Sequence, residues 1–221
     1  MLVIRGLHAS ETTHGGRAYL VEGSAECVLI DTGAPDGALG VAHLLGAAHR
    51  APHEVTLILL THAHAGHAGN VQAVRRLTGA RVAASAETAA LLREAGGVAP
   101  RGGLLARRQA WPPEPIRVDD VIEPGQVLDA GGGIEVLAAP GHAPGALAFH
   151  CYGPGALVFG DAARLTRAGG VAPPPPRRCS DAAEARATAE RLTAVGARVL
   201  APGHGLPTVD GRRPARVVRS A

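Results

Sequence analysis

The stretch from Val55 to Leu60 constrains this chain more than any other. It is a largely apolar, strand-forming run that stops abruptly at Thr61-His62-Ala63-His64-Ala65-Gly66-His67-Ala68-Gly69-Asn70. A buried strand therefore ends where three histidines begin. In an extended segment His62 and His64 point to the same side, because side chains alternate with a period of two. His67 then falls where a following helix starts. Such spacing lets several imidazoles converge on one ion, and imidazole suits zinc while also binding iron, manganese and cobalt. A single histidine in a loop would mean little. Three at a strand end, flanked by small residues, point to a metal.

The same logic recurs along the chain. Strand-like runs cover 18–22, 27–30, 55–60, 81–84, 134–138, 147–151, 157–160 and 198–201, most of them bounded by Gly, Pro, Asp or Ser. After the run 134–138 comes Pro140-Gly141-His142, and after 198–201 comes Pro202-Gly203-His204. Asp161 closes the run 157–160. Strand ends that deliver ligands to one sheet edge are how α/β enzymes build sites. Helical patterns over 36–50, 70–78, 87–95 and 180–195 lie between the strands, and Ser180 is a candidate cap for the last. The chain is therefore α/β throughout. Two Gly/Pro/Arg-rich segments, 96–115 and 167–179, read as loops.

Composition excludes several classes. The 221 residues are 46% hydrophobic and 19% charged, which is globular rather than disordered. Only 2% are aromatic, so Ala, Val and Leu must fill the core. All 22 basic residues are arginine, and the net charge is +3. The arginines are scattered and no aromatic residues interleave with them to stack bases, so no nucleic-acid partner is expected. Three cysteines without a CxxC spacing give neither a disulfide framework nor a thiolate zinc site. No apolar run is long enough to cross a membrane, and the N-terminus turns polar too soon for a signal peptide, so a cytoplasmic protein is expected.

The ordered set of motifs, from Leu29-Ile30-Asp31-Thr32-Gly33 to Pro202-Gly203-His204, resembles the metallo-β-lactamase superfamily, with its HxHxDH motif followed by His, Asp and His at later strand ends. Asp119 to Gly145 further resembles the glyoxalase II-like branch. The resemblance implies a single domain over 1–221, folded as a four-layer αββα sandwich of two similar halves, roughly 1–115 and 116–210. It implies that His62, His64 and His142 bind a first metal, that Asp161 bridges, and that His67 and His204 bind a second. Asp31 would support the ligands from behind. Zinc is the expected metal, as one or two ions, with iron or manganese as alternatives.

The chain departs from the family at Gly66, where the motif has an aspartate. Glycine can neither bind the second metal nor orient an attacking water, so that position is expected to be weakened. The leading expectation is a metal-dependent hydrolase that uses a metal-activated water on a small ester, thioester, lactone or amide. Only 17 residues follow His204, too few for the helical domain with which glyoxalase II enzymes hold glutathione. Alternatives are a mononuclear iron enzyme resembling persulfide dioxygenases, with His62, His142 and Asp161 as its ligands, and a degenerate or engineered metal-binding member of low activity.

Overall fold

The computed structural model describes residues 1–10, 15–35, 38–94, 112 and 114–212. Most of the loop expected over 96–115 lies outside them. Fifteen strands form among the described residues. The first sheet contains, in spatial order, β1 (Leu2–Ile4), β2 (Leu7–Ala9), β3 (Tyr19–Glu22), β4 (Cys27–Ile30), β5 (Val55–Leu59), β6 (Arg81–Ala84) and β7 (Asp120–Val121). The second contains β8 (Val127–Leu128), β9 (Ile134–Ala138), β10 (Leu147–Cys151), β11 (Ala156–Gly160), β14 (Val199–Pro202) and β15 (Thr208–Val209), neighbours in that order. A small hairpin of β12 (Arg164–Leu165) and β13 (Val171–Ala172) stands apart. It corrects the expectation that 167–179 is only a loop: a strand of two residues is too short to leave a period in the sequence.

Alternation within the strands builds four layers. Along β4, Val28 and Ile30 face one way and Cys27 and Leu29 the other, and all four are fully buried. Val28 and Ile30 join a core between the two sheets, with Tyr19, Val21 and Leu59 from the first sheet and Ile134, Phe149, Val158 and Ala201 from the second. Cys27 and Leu29 join a separate core with Val41, Leu44, Val71, Val74 and Leu92, under the helices α1 (Ala38–Ala47), α3 (Val71–Thr78) and α4 (Ala86–Arg93). On the second sheet, Leu157 and Phe159 turn outward onto Ala189 and Leu192 of α5 (Ala182–Ala194). Helices thus cover the outer face of each sheet. Strands apolar on both faces are what such a sandwich requires, and the expected αββα architecture is the one observed.

Strand direction brings the site together. β4, β5 and β6 run parallel. β11 and β14 run parallel, and β9 runs the same way because β9 and β11 are both antiparallel to β10. The C-terminal ends of β4, β5, β9, β11 and β14 carry Asp31, the histidine cluster, His142, Asp161 and His204 respectively.

The cap of α5 differs from expectation by one residue. Asp181, not Ser180, is the N-cap, its carboxylate accepting from the amides of Ala183 and Glu184 at 2.9 Å each. Ser180 instead turns its hydroxyl onto the carbonyls of Gly141 and His142, at 3.2 and 3.1 Å. Replacing Asp181 with alanine removes both cap bonds and is expected to cost about 1 kcal/mol. A urea titration that shows no loss would refute this assignment of the cap.

Candidate metal centre

The histidine cluster sits where β5 ends and a single helical turn, α2 (Ala65–Ala68), begins. Asp31, at the end of β4, organises it from behind. Its backbone is left-handed, with φ 59°, a conformation aspartate tolerates better than most residues. Asp31 is buried and accepts three hydrogen bonds, from the Thr61 amide at 2.8 Å, the Thr61 hydroxyl at 2.8 Å and His67 Nδ1 at 2.7 Å.

The proton inventory fixes which nitrogens face inward. Thr61 has one hydroxyl proton and donates it to Asp31. Its oxygen, 3.0 Å from His62 Nδ1, must then accept a proton from that ring. His62 Nε2 is left with a bare lone pair, in a ring only 1% exposed and with no hydrogen-bond partner. A buried acceptor in that state calls for a cation. Burial above all, aided by the neighbouring histidines, holds the His62 pKa well below its usual value, so the ring stays a neutral ligand.

Two ligand sets meet at His62. His62, His64 and His142 form one, and His62, His67 and Asp161 the other; within each set the ligating atoms lie within 4.8 Å of one another. In the first, His64 Nδ1 and His142 Nε2 are 3.1 Å apart. In the second, Asp161 Oδ1 is 3.3 Å from His67 Nε2, and His204 Nε2, outside the set, lies 3.3 Å from the same oxygen. His142 Nε2 lies 3.6 Å from the other Asp161 oxygen, so this carboxylate faces both sets. The donors are imidazoles and one carboxylate, the set that zinc, iron and manganese take. All six residues expected as ligands are therefore gathered at one place, with Asp31 behind them.

Charge follows the geometry. Burial alone would lower the pKa of His67, but the carboxylates of Asp31 and Asp161 overcome it and raise it to about 10. Desolvation pushes the Asp161 carboxyl upward, yet the surrounding histidines, His67 first, hold it far below the usual carboxylate range. Each group of this set favours a positive charge between them, whether a proton or a metal ion.

Glycines let the backbone approach this closely. A Cβ on Gly203 would lie 2.5 Å from His67 Cε1 and 2.6 Å from Asp161 Oδ1, and one on Gly16 would lie 2.5 Å from His67 Cε1. Gly141 has φ 113° and packs directly on the backbone of α5 at Ala185. Thr188 and Asp181 of that region also bind the carbonyls of Pro140 and Gly141, which locks the turn bearing His142.

Sequence reading missed Thr61, Gly16 and Gly203 as site residues. Each acts through a partner distant in sequence, so no local pattern marks it. Other residues lie elsewhere. His150 faces Glu135 and Tyr152, outside both ligand sets. Tyr152 is 46% exposed and donates its hydroxyl to Glu135. Trp111 lies outside the described residues. Cys27, Cys151 and Cys179 form no disulfide. No helix among the described residues is long and apolar enough to cross a membrane.

Comparison with known proteins agrees with this architecture. A family model described as the metallo-beta-lactamase superfamily matches residues 12–204. The uncharacterized protein YobT of Bacillus subtilis (strain 168) is 31% identical over 204 residues, covering 85% of this chain and 82% of its own. A hydroxyacylglutathione hydrolase of Rhodobacter capsulatus is 34% identical over 105 residues, covering 47% of this chain and only 32% of its own. Among solved structures, a metallo-beta-lactamase family protein from Thermus thermophilus superposes with a TM-score of 0.70 at 26% identity, covering 96% of this chain and 77% of its own.

Proposed function

This chain belongs to the metallo-β-lactamase superfamily, and we propose that it is a metal-dependent hydrolase of a small ester, thioester, lactone or amide. The single observation that carries this reading is the pair of ligand sets sharing buried His62, whose Nε2 has no partner within the protein. His62, His64 and His142 would hold the first ion. His67, His204 and Asp161 would hold the second. A bound zinc ion supplies Lewis acidity, polarising a carbonyl and bringing the pKa of water to about 7.

The chain's own residues do the rest. Asp31 and Thr61 fix the tautomers of His67 and His62, so that both Nε2 atoms face inward. Asp161 supplies the negative charge shared by both positions. Gly66 leaves the second position without the motif's carboxylate, so three protein ligands must hold it, and more weakly. The likeness to a hydroxyacylglutathione hydrolase favours a thioester among the substrate classes. The iron-enzyme alternative, with His62, His142 and Asp161 as ligands, would leave His64, beside His142, without a role in the site.

Elemental analysis of the purified protein, followed by a panel of thioesters, lactones, esters and amides, tests the proposal. At least one class should be turned over, with the activity lost on chelation and restored by zinc. Absence of turnover both in this chain and in Gly66→Asp would sink the hydrolase reading. Iron as the bound metal, with oxygen consumption on a persulfide, would replace it with the alternative.

A further inference from the structure

We propose that Arg17 is a positioning residue for His204, and so for the second metal position; this rests on the ligand assignment made above. His204 is the most exposed of the six residues assigned as ligands. Its side chain is half exposed, and it stands on a turn of small residues after β14, with Gly205 at φ 86°. Of the contacts to this ring, those to Asp161 at 3.3 Å and to the edge of His67 at 5.5 Å belong to the site itself.

The turn is held from the start of β3. The Arg17 amide donates to the Gly203 carbonyl at 2.8 Å, and the Tyr19 hydroxyl donates to the Pro202 carbonyl at 2.7 Å. The Arg17 side chain, buried to 9% exposure, sends Nε to the Gly205 carbonyl. Backbone and guanidinium of this one residue therefore bind the carbonyls of the two residues that flank His204. The other arm of the guanidinium, Nη1, donates to the Ser10 carbonyl. Ser10 is itself tied to Ala18, donating from its amide at 2.8 Å and accepting at its hydroxyl at 2.9 Å. The fork thus connects a braced strand pair to the ligand-bearing turn.

The geometry explains the choice of arginine. A planar guanidinium satisfies two carbonyls in fixed directions at once, while the single ammonium of lysine cannot match both. A charge this buried, bound to backbone carbonyls, holds the segments on both sides of it. The neighbouring Gly16 approaches His67 with no room for a Cβ, so the segment that carries Arg17 also lines the second position. With no carboxylate at residue 66, that position depends on His204 more heavily.

The test counts metal ions. Chelator-stripped protein is titrated with cobalt(II), with ligand-field absorption and bound stoichiometry as readouts. The natural chain should take up two ions in separate steps. Arg17→Ala should leave the first step unchanged and weaken the second at least tenfold, within the range seen when partners of metal ligands are removed. Arg17→Lys should recover part of that loss. In a His204→Ala background, Arg17→Ala should weaken the second step no further, since both changes act through one ring.

Equal weakening of both steps, additive losses in the double variant, or a natural chain that binds only one ion would overturn the proposal. If Arg17→Ala fails to fold by circular dichroism, Arg17→Lys carries the same double-variant comparison. Two-step binding with the expected Arg17 effect, but no turnover of any acyl substrate, would leave the positioning role standing and sink the hydrolase reading. A chain that binds no cobalt sinks both.

Discussion

Gly66→Asp should raise turnover about a hundredfold and tighten the second metal position at least tenfold. Residue 66 lies in α2, between His64 and His67. A Cβ there would meet the Gly16 amide nitrogen at 3.5 Å and the Gly15 Cα at 3.8 Å, which is ordinary contact. The backbone therefore admits a side chain without strain. Within a helical turn, replacing glycine also recovers some conformational entropy. The second position has one carboxylate, Asp161, shared with the first, so an added aspartate supplies both a ligand and a charge. Metal titration and steady-state kinetics of the two proteins side by side measure the effect. Unchanged affinity and unchanged turnover would show that residue 66 does not face the site.

The second large effect is at Asp31. Asp31→Ala should destabilise the protein by about 3–5 kcal/mol, the usual cost of removing one partner from a buried charged pair. The substitution strips the hydrogen bonds from Thr61 and His67, which stay buried, and places alanine at a positive φ. Asp31→Asn should cost less, because asparagine also tolerates that backbone and keeps one acceptor. Denaturant titration separates the two. If Asp31→Ala is as stable as the natural chain, the site is not braced from β4.

The same pair predicts a pH dependence in chelator-treated protein. The folded pKa of His67, about 10, lies above its unfolded value of 6.5. Its contribution to stability is complete below pH 6.5 and disappears as pH rises through about 10. Asp31→Asn should flatten that slope. Metal binding, which needs His67 Nε2 unprotonated, should in turn weaken toward acid pH.

Much of this protein is legible in its sequence alone. Val55 to Leu60 reads as a buried strand and forms one over Val55–Leu59, with Thr56 exposed, and the two-residue period puts His62 and His64 on one side. The runs 27–30, 134–138 and 147–151 form strands with the bounds read from the sequence, because apolar, β-prone residues between turn formers leave the backbone little choice. The six expected ligands were legible for the same reason: each stands at or within a few residues of the end of such a run.

What the sequence could not settle were relations across distance. The Thr61 hydroxyl orients His62 only because Asp31, thirty residues earlier, lies within reach of its proton. Asp181 rather than Ser180 caps α5 because Ser180 is drawn to the His142 turn. Arg17 meets the His204 turn across 188 residues of chain. Local apolar patterning and turn chemistry fix elements through short-range sterics and burial. Proton positions, caps and braces depend on which strand ends the two packed sheets bring face to face, and only the tertiary fold decides that.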